Sequence, residues 1–258
     1  MNEAELLFSR MLKCDRMSLY LKRKIKLGAE RGAFASLVLK KRISGYPLQY
    51  ILGKADFFGI DFLVNESVLI PRPETEILVE YLVNRFSGFK RAEVLDIGAG
   101  SGCIAISLVK ALPGARVLAS DKSRAALKVA AKNAADLGVK VGFIRSDLFK
   151  NIHGMKFDLI VSNPPYIPSD EIKDLQPEIS FEPRMALDGG KDGLDYYRKI
   201  IRQAPSYMRA KGILAFEIGF AQAAEIEKIL QKQANLRIID IIRDYSNIER
   251  VIIAQRQH

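Results

Sequence analysis

Cysteine and histidine are scarce. The 258 residues hold two of each: Cys14, Cys103, His153 and His258. That is too few for a disulfide framework or a Cys/His zinc site, and no metal is expected. A lone Cys–His catalytic pair has no local signature to support it. Cys103 reads as helix packing and His153 as a surface loop residue. Low cysteine usage fits a reducing compartment. Long apolar runs are also missing, and nothing approaches the ~18 residues that span a membrane. Residues 1–15 carry early acids and no apolar core segment, so no signal peptide is expected. Internal repeats and low-complexity stretches are absent as well. A soluble, cytoplasmic protein is the expectation.

Apolar residues make up 48% of the chain and charged residues 27%. That suffices for one large α/β domain plus a small one. The net charge of +10 is unevenly placed: residues 1–45 hold 11 Lys/Arg against four Asp/Glu. A local basic surface favours an anionic partner, either nucleic acid or an acidic protein. A solvated helical face would give the same count.

Residues 1–45 read as short amphipathic helices. Leu6, Leu7, Met11 and Leu12 recur at helical spacing, as do Leu19, Leu21 and Ile25, then Phe34, Leu37 and Val38. Residues 55–70, rich in aromatic and β-branched side chains, predict a β-hairpin ended by Pro71 and Pro73. Residues 74–86 predict a helix. Strand-like runs then cover 94–97, 116–119, 139–144, 157–161 and 213–218. Helix-like runs cover 104–112, 125–137, 194–208 and 221–233. This alternation implies an α/β fold, a doubly wound, mostly parallel sheet. Residues 236–242 and 250–254 add two strands joined by a turn, a terminal antiparallel hairpin. A sheet with that ending, seven strands in all, resembles the class I methyltransferase fold.

The segment Asp96-Ile97-Gly98-Ala99-Gly100-Ser101-Gly102 follows a strand and opens a helix. Glycines let the backbone turn tightly and approach a ligand, and a helix start offers free N–H groups. The spacing is G-x-G-x-G, where a dinucleotide site wants G-x-G-x-x-G. Asp96 before the loop disfavours a pyrophosphate and suits a cation. S-adenosylmethionine carries both an ammonium and a sulfonium. The pattern resembles the first motif of class I methyltransferases. Asp121 ends the next strand, 21 positions after Gly100, where doubly wound folds place an acid on ribose hydroxyls. Capping the helix that starts near Ser123 is its other reading. At the third strand end, the family pattern implies that Asp147 accepts from an adenine amino group, with Leu148 or Phe149 on the ring. Asp147 also reads as a plain loop residue.

The fourth strand runs into Asn163-Pro164-Pro165-Tyr166. The first proline biases Asn163 to an extended conformation, and the pair stiffens the turn. The Asn163 side-chain oxygen and the Pro164 carbonyl can each accept one N–H of a planar –NH₂ group. Asn163 would also border the cofactor. Tyr166 can stack on the flat acceptor beside Pro165.

Asn-Pro-Pro-Tyr resembles two families. One is the DNA methyltransferases acting on the exocyclic amine of adenine. The other is the release-factor glutamine methyltransferases, which methylate the glutamine amide of a Gly-Gly-Gln motif. DNA enzymes usually carry a target-recognition region, and only 92 residues follow Tyr166. Pro47-Leu48-Gln49-Tyr50-Ile51-Leu52-Gly53, the Arg72-Pro73-Glu74-Thr75-Glu76 run, the stretch from Phe181 to Leu194, and Arg243-Asp244-Tyr245 with Glu249-Arg250 resemble the second family. Its members commonly carry a glycine in the final turn, where this chain has Ser246-Asn247. The resemblance implies a release factor as partner rather than nucleic acid; no membrane is expected, and nothing demands more than a monomer. It further implies a substrate-docking helical domain at 1–54, a hairpin linker at 55–73 and a methyltransferase domain at 74–258. Residues 72–76 would lie over the methionine end of the cofactor, though they read equally as a helix start. Nucleic-acid amine methylation and a non-catalytic cofactor-binding adaptor are the competing expectations.

Overall fold

The computed structural model describes residues 3–21 and 26–257. Ile25, expected on an amphipathic helix face, lies outside the described residues. Four helices come first: α1 (Glu3–Leu12), α2 (Arg16–Leu21), α3 (Ala29–Ile43) and α4 (Leu48–Leu52). Leu7, Val38 and Leu48 form a small core among them. A tight hairpin follows, β1 (Lys54–Phe57) with β2 (Ile60–Leu63), paired antiparallel. It ends at Leu63, short of the expected 70, because Asn65 to Ser67 form a turn in which the Asn65 side chain accepts the Ser67 N–H.

Then come α5 (Pro73–Phe86), β3 (Ala92–Ile97), α6 (Cys103–Ala111), β4 (Ala115–Asp121), α7 (Arg124–Asp136), β5 (Gly142–Arg145) and β6 (Phe157–Ser162). The chain ends with α8 (Asp195–Gln203), β7 (Met208–Glu217), α9 (Ala223–Gln231), β8 (Leu236–Arg243) and β9 (Glu249–Arg256). The seven-stranded sheet runs β5-β4-β3-β6-β7-β9-β8, parallel except where β9 pairs antiparallel with β7 and β8. This is the expected doubly wound sheet with a terminal hairpin.

Side chains alternate across each strand, so every central strand feeds two cores. Val94, Leu159, Val161, Ile213 and Ala215 face α5 and α6. Leu95, Ile97, Ile160, Leu214 and Phe216 face α8 and α9. Burial on both faces explains the nearly unbroken apolar runs of the parallel strands. Two boundaries differ from expectation. The helix predicted to 208 stops at Gln203, and a single 3₁₀ turn holds Pro205, which has no N–H to continue the α-helix. The strand predicted over 139–144 pairs only from Gly142, since 139–141 still close off α7. In the final hairpin turn, Asn247 adopts φ +62°, a left-handed conformation that asparagine tolerates.

Arg10 of α1 pairs with Asp61 of the hairpin. Arg42 of α3 bonds both Glu3 and Glu178. Asn133 of α7 exchanges two hydrogen bonds with the Leu63 backbone and donates at 2.8 Å to the Ser101 carbonyl. The hairpin is thereby fastened to the glycine-rich loop.

Candidate active site

From β3 the chain crosses outward to β4 and β5, then returns to β6 on the other side of β3. The β3/β6 boundary is therefore the switch point, where doubly wound sheets open a crevice at the carboxyl ends of the strands. Ile97 and Ser162 are register partners there, and the Ser162 hydroxyl donates at 2.7 Å to the Ile97 carbonyl. The two segments singled out by sequence, 98–102 and 163–166, leave the sheet side by side.

A cleft of about 780 Å³, partly open to solvent, fills this crevice. Gly98, Gly100, Asp121, Asp147, Leu148, Asn163, Pro164 and Pro165 line it. Gly98, Gly100 and Gly102 take φ of +81°, +53° and +81°. This left-handed zigzag needs glycine. The Gly98 and Ala99 N–H groups bond the Ser120 carbonyl. Asp121 accepts the Gly100 N–H through one oxygen and the Ser123 N–H through the other. The helix cap is instead Ser123, whose hydroxyl accepts the Ala126 N–H. A carboxylate has about four acceptor positions, so Asp121 keeps capacity for hydroxyls in the cleft. Asp147 stands at the mouth, 3.2 Å from Lys122. Leu148 adopts φ +53°, held by the Ser146 hydroxyl on its carbonyl. Of the two candidates for an aromatic-ring contact, Leu148 lines the cleft. Phe149 is buried and stacks on Tyr207, ring centroids 4.4 Å apart.

Four expected cofactor residues lie elsewhere. Asp96 is fully buried and does not line the cleft. Alternation along β3 puts it on the face of Val94, towards α6, where it accepts the Ala105 N–H at 3.2 Å. Its other oxygen has no partner, and burial pushes its pKa up to about 7. Ala99 joins the core beneath the loop, and Ser101 is buried. A Cβ on Gly102 would meet Ala130 and Ile106 at 3.1 Å, so that glycine serves helix packing.

Tyr166 is also absent from the cleft. It lines a second, smaller cavity of about 440 Å³ with Leu69, Arg72, Ile167, Ile179, Ala186 and Leu187. Asn163 borders both cavities and forms part of the wall between them. The 187–193 stretch clamps the loop. Ile167 donates to Leu187, and Gly189 donates to Ile167. A Cβ on Gly193 would stand 2.3 Å from the Tyr166 carbonyl oxygen. Of the preceding segment, Pro183, Met185 and Ala186 wall the cleft.

Sequence reasoning missed the groups behind the loop. The Asn163 side-chain NH₂ donates at 3.1 Å to the Thr75 hydroxyl, which donates to Glu217. Gln222 donates at 2.8 Å to the Tyr166 carbonyl. A carboxylate ending an otherwise apolar strand was the available signal for Glu217. Local pattern carries no signal for Gln222.

The cleft suits a nucleoside with a cationic tail. Its walls are apolar with two carboxylates, and the basic group among the described lining residues, Lys122, is already paired with Asp147. The second cavity suits a flat uncharged group beside an aromatic ring.

The family model for the PrmC N-terminal domain matches residues 1–53, and that for the methyltransferase small domain matches 73–179. A release factor glutamine methyltransferase of Geobacter sulfurreducens is 44% identical over 253 residues, 97% of this chain and 87% of that protein. One of Chlorobaculum tepidum is 41% identical over 266 residues, 98% of this chain and 90% of that protein. Among solved structures, a ribosomal protein L11 methylase of Lactobacillus delbrueckii subsp. bulgaricus superposes with a TM-score of 0.55 at 25% identity. It covers 72% of this chain and 81% of that one.

Proposed function

Because the chain belongs to the release factor glutamine methyltransferase family, we propose that it methylates the side-chain amide nitrogen of the Gly-Gly-Gln glutamine in peptide chain release factors, in the cytoplasm. The observation that carries this reading is the position of Asn163 between two cavities, one fit for a nucleoside cofactor and one for a planar amide.

S-adenosylmethionine supplies the electrophilic methyl group. Gly98, Gly100, Asp121, Asp147, Leu148 and Asn163 would hold it. A glutamine amide is a poor nucleophile because its lone pair is delocalised. The Asn163 side-chain oxygen and the Pro164 carbonyl accept its two N–H groups. That fixes the –NH₂ plane and raises density on nitrogen. Tyr166, with Pro165 next to it, covers the amide face and excludes water. Orientation in such a fixed geometry supplies up to ~7–11 kcal/mol of barrier reduction, and preorganised dipoles add to it. No strong base is required, since the N–H proton becomes acidic once the methyl is attached. Asp96 acts behind the loop, holding the start of α6 against β3.

Residues 1–54, which carry most of the net positive charge, would dock the partner, with 55–73 as the link to the transferase domain at 74–258. The protein is read as a monomer, with no nucleic acid as substrate. The test is incubation with S-adenosylmethionine and release factor, followed by peptide mass spectrometry. One added methyl on the Gly-Gly-Gln glutamine is expected. Transfer to an oligonucleotide and none to protein would overturn the proposal.

A further inference from the structure

An asparagine amide can be rotated by half a turn with almost no change in shape, yet only one orientation presents an acceptor to the substrate. Two buried side chains from distant parts of the fold decide which. Thr75 lies in the first turn of α5 and is 2% exposed; Glu217 ends β7 and is 2% exposed. Alternation puts Glu217 on the same sheet face as Ile213 and Ala215, directly against α5. The Thr75 hydroxyl donates to Glu217 and accepts from the Asn163 NH₂ at 3.1 Å.

The direction of this chain follows from proton counting. A carboxylate can only accept, and a hydroxyl has one hydrogen to give. With that hydrogen committed to Glu217, Thr75 can only accept from its other neighbour. The nitrogen end of the Asn163 amide must then face Thr75, and its oxygen faces away.

We propose that Thr75 and Glu217 are positioning residues that lock the Asn163 amide with its oxygen towards the acceptor nitrogen. This rests on reading Asn163 as the group that binds the acceptor. Neither residue touches the substrate; each acts through Asn163.

The test compares Thr75→Val, which keeps the shape and loses the hydroxyl, with Thr75→Ser, which keeps the hydroxyl, and with Asn163→Ala. Each variant is assayed for kcat and KM on release factor, S-adenosylmethionine affinity by calorimetry, and Tm. Thr75→Val is expected to lose up to about 100-fold in kcat, with cofactor affinity and KM held to within about threefold. Thr75→Ser is expected to recover most of the loss. In ¹⁵N spectra of the wild type, the Asn163 NH₂ pair should stand apart from exposed amides, and Thr75→Val should shift it. Full kcat in Thr75→Val overturns the lock. So does a serine variant as slow as the valine one, or a kcat loss that merely tracks lost Tm or cofactor binding. If Asn163→Ala is inactive while Thr75→Val is fully active, the lock alone fails. If Asn163→Ala is fully active, the reading of Asn163 fails and the lock with it.

Discussion

The Arg72 guanidinium pairs with the Glu182 carboxylate, which also accepts the Ile70 N–H at 3.2 Å. This joins the segment entering α5 to the segment walling the cleft, 110 positions apart in sequence. Both contribute to the site: Arg72 lines the second cavity, and Pro183 beside Glu182 lines the cleft. Arg72→Ala would leave the Glu182 carboxylate, 2% exposed, without its charged partner. Losing the partner of a buried polar group costs about 1–3 kcal/mol. A lower Tm and a raised KM for release factor are expected, and Glu182→Gln should be milder because it keeps an acceptor for Ile70. Equal melting of Arg72→Ala and wild type would show that the pair is dispensable.

Asn163→Ala removes one of the two acceptors aimed at the amide. By analogy with the loss of one preorganised hydrogen-bonding group, kcat should fall about 100- to 1,000-fold. Cofactor affinity should change little, since the other residues lining the cleft remain. Single-turnover kinetics at saturating cofactor would measure this.

Activity should fall at acid pH. Burial pushes the Glu217 pKa up to about 7, with Glu74 adding to the rise. The bond from Thr75 and the charge of Arg250 oppose it. Tyr166 also faces this carboxylate, and the Tyr197 hydroxyl donates to the Glu217 backbone carbonyl. Above that pKa the carboxylate only accepts, and the amide of Asn163 is held. Below it, a protonated Glu217 can donate to Thr75, which is then free to donate to the wrong end of the amide. The expected profile of kcat is a plateau above neutrality that declines as pH falls through about 7. In Glu217→Gln that limb should vanish. A wild-type profile flat from pH 6 to 8 would contradict it.

Stability should respond to Asp96 in a related way. Burial raises its pKa to about 7 from the ordinary 3.8. The folded state therefore holds its proton more tightly than the unfolded chain. The stabilisation from neutral Asp96 is complete below about pH 4 and is lost as pH rises through about 7. Asp96→Asn removes this dependence. Its Tm relative to wild type should climb between pH 5 and pH 8. A constant difference across that range would mean that Asp96 is already ionised in the folded protein at pH 5.

Gly193→Ala should damage the catalytic loop. The added Cβ meets the Tyr166 carbonyl oxygen at 2.3 Å, on a backbone with φ +73°. Gly138→Ala is the control, with φ +67° and no atom within 4 Å of its Cβ. The control should lose about 1 kcal/mol of stability and keep kcat. Gly193→Ala should lose kcat well beyond any change in Tm.

Elements with strong periodicity were legible in sequence. Apolar runs of parallel strands and the amphipathic stripes of α5 and α7 gave the doubly wound sheet, and Gly98-Ala99-Gly100 and Asn163-Pro164 led to its switch point. The errors are local and physical. Asp96 looked like a cleft residue because it precedes the glycines, yet counting by twos from Val94 turns it towards α6. Tyr166 was expected beside Pro165 on the acceptor, yet the two prolines line the cleft while the bend of the loop carries Tyr166 into the neighbouring cavity. Thr75 read either as a first-turn threonine or as part of a segment over the methionine end of the cofactor. Its role depends on Glu217, 142 positions later, and no window of sequence contains both.

The clamp around Tyr166 leaves the Asn-Pro-Pro-Tyr segment no room to swing. Gly189, Gly193 and Gly219 each sit where a single methyl would collide with Tyr166 or with Gln222, which bonds its carbonyl. A scaffold braced on every side cannot serve as its own gate. In the proposed reaction the acceptor amide therefore has to fit itself to the loop, because the loop has no slack with which to follow the acceptor.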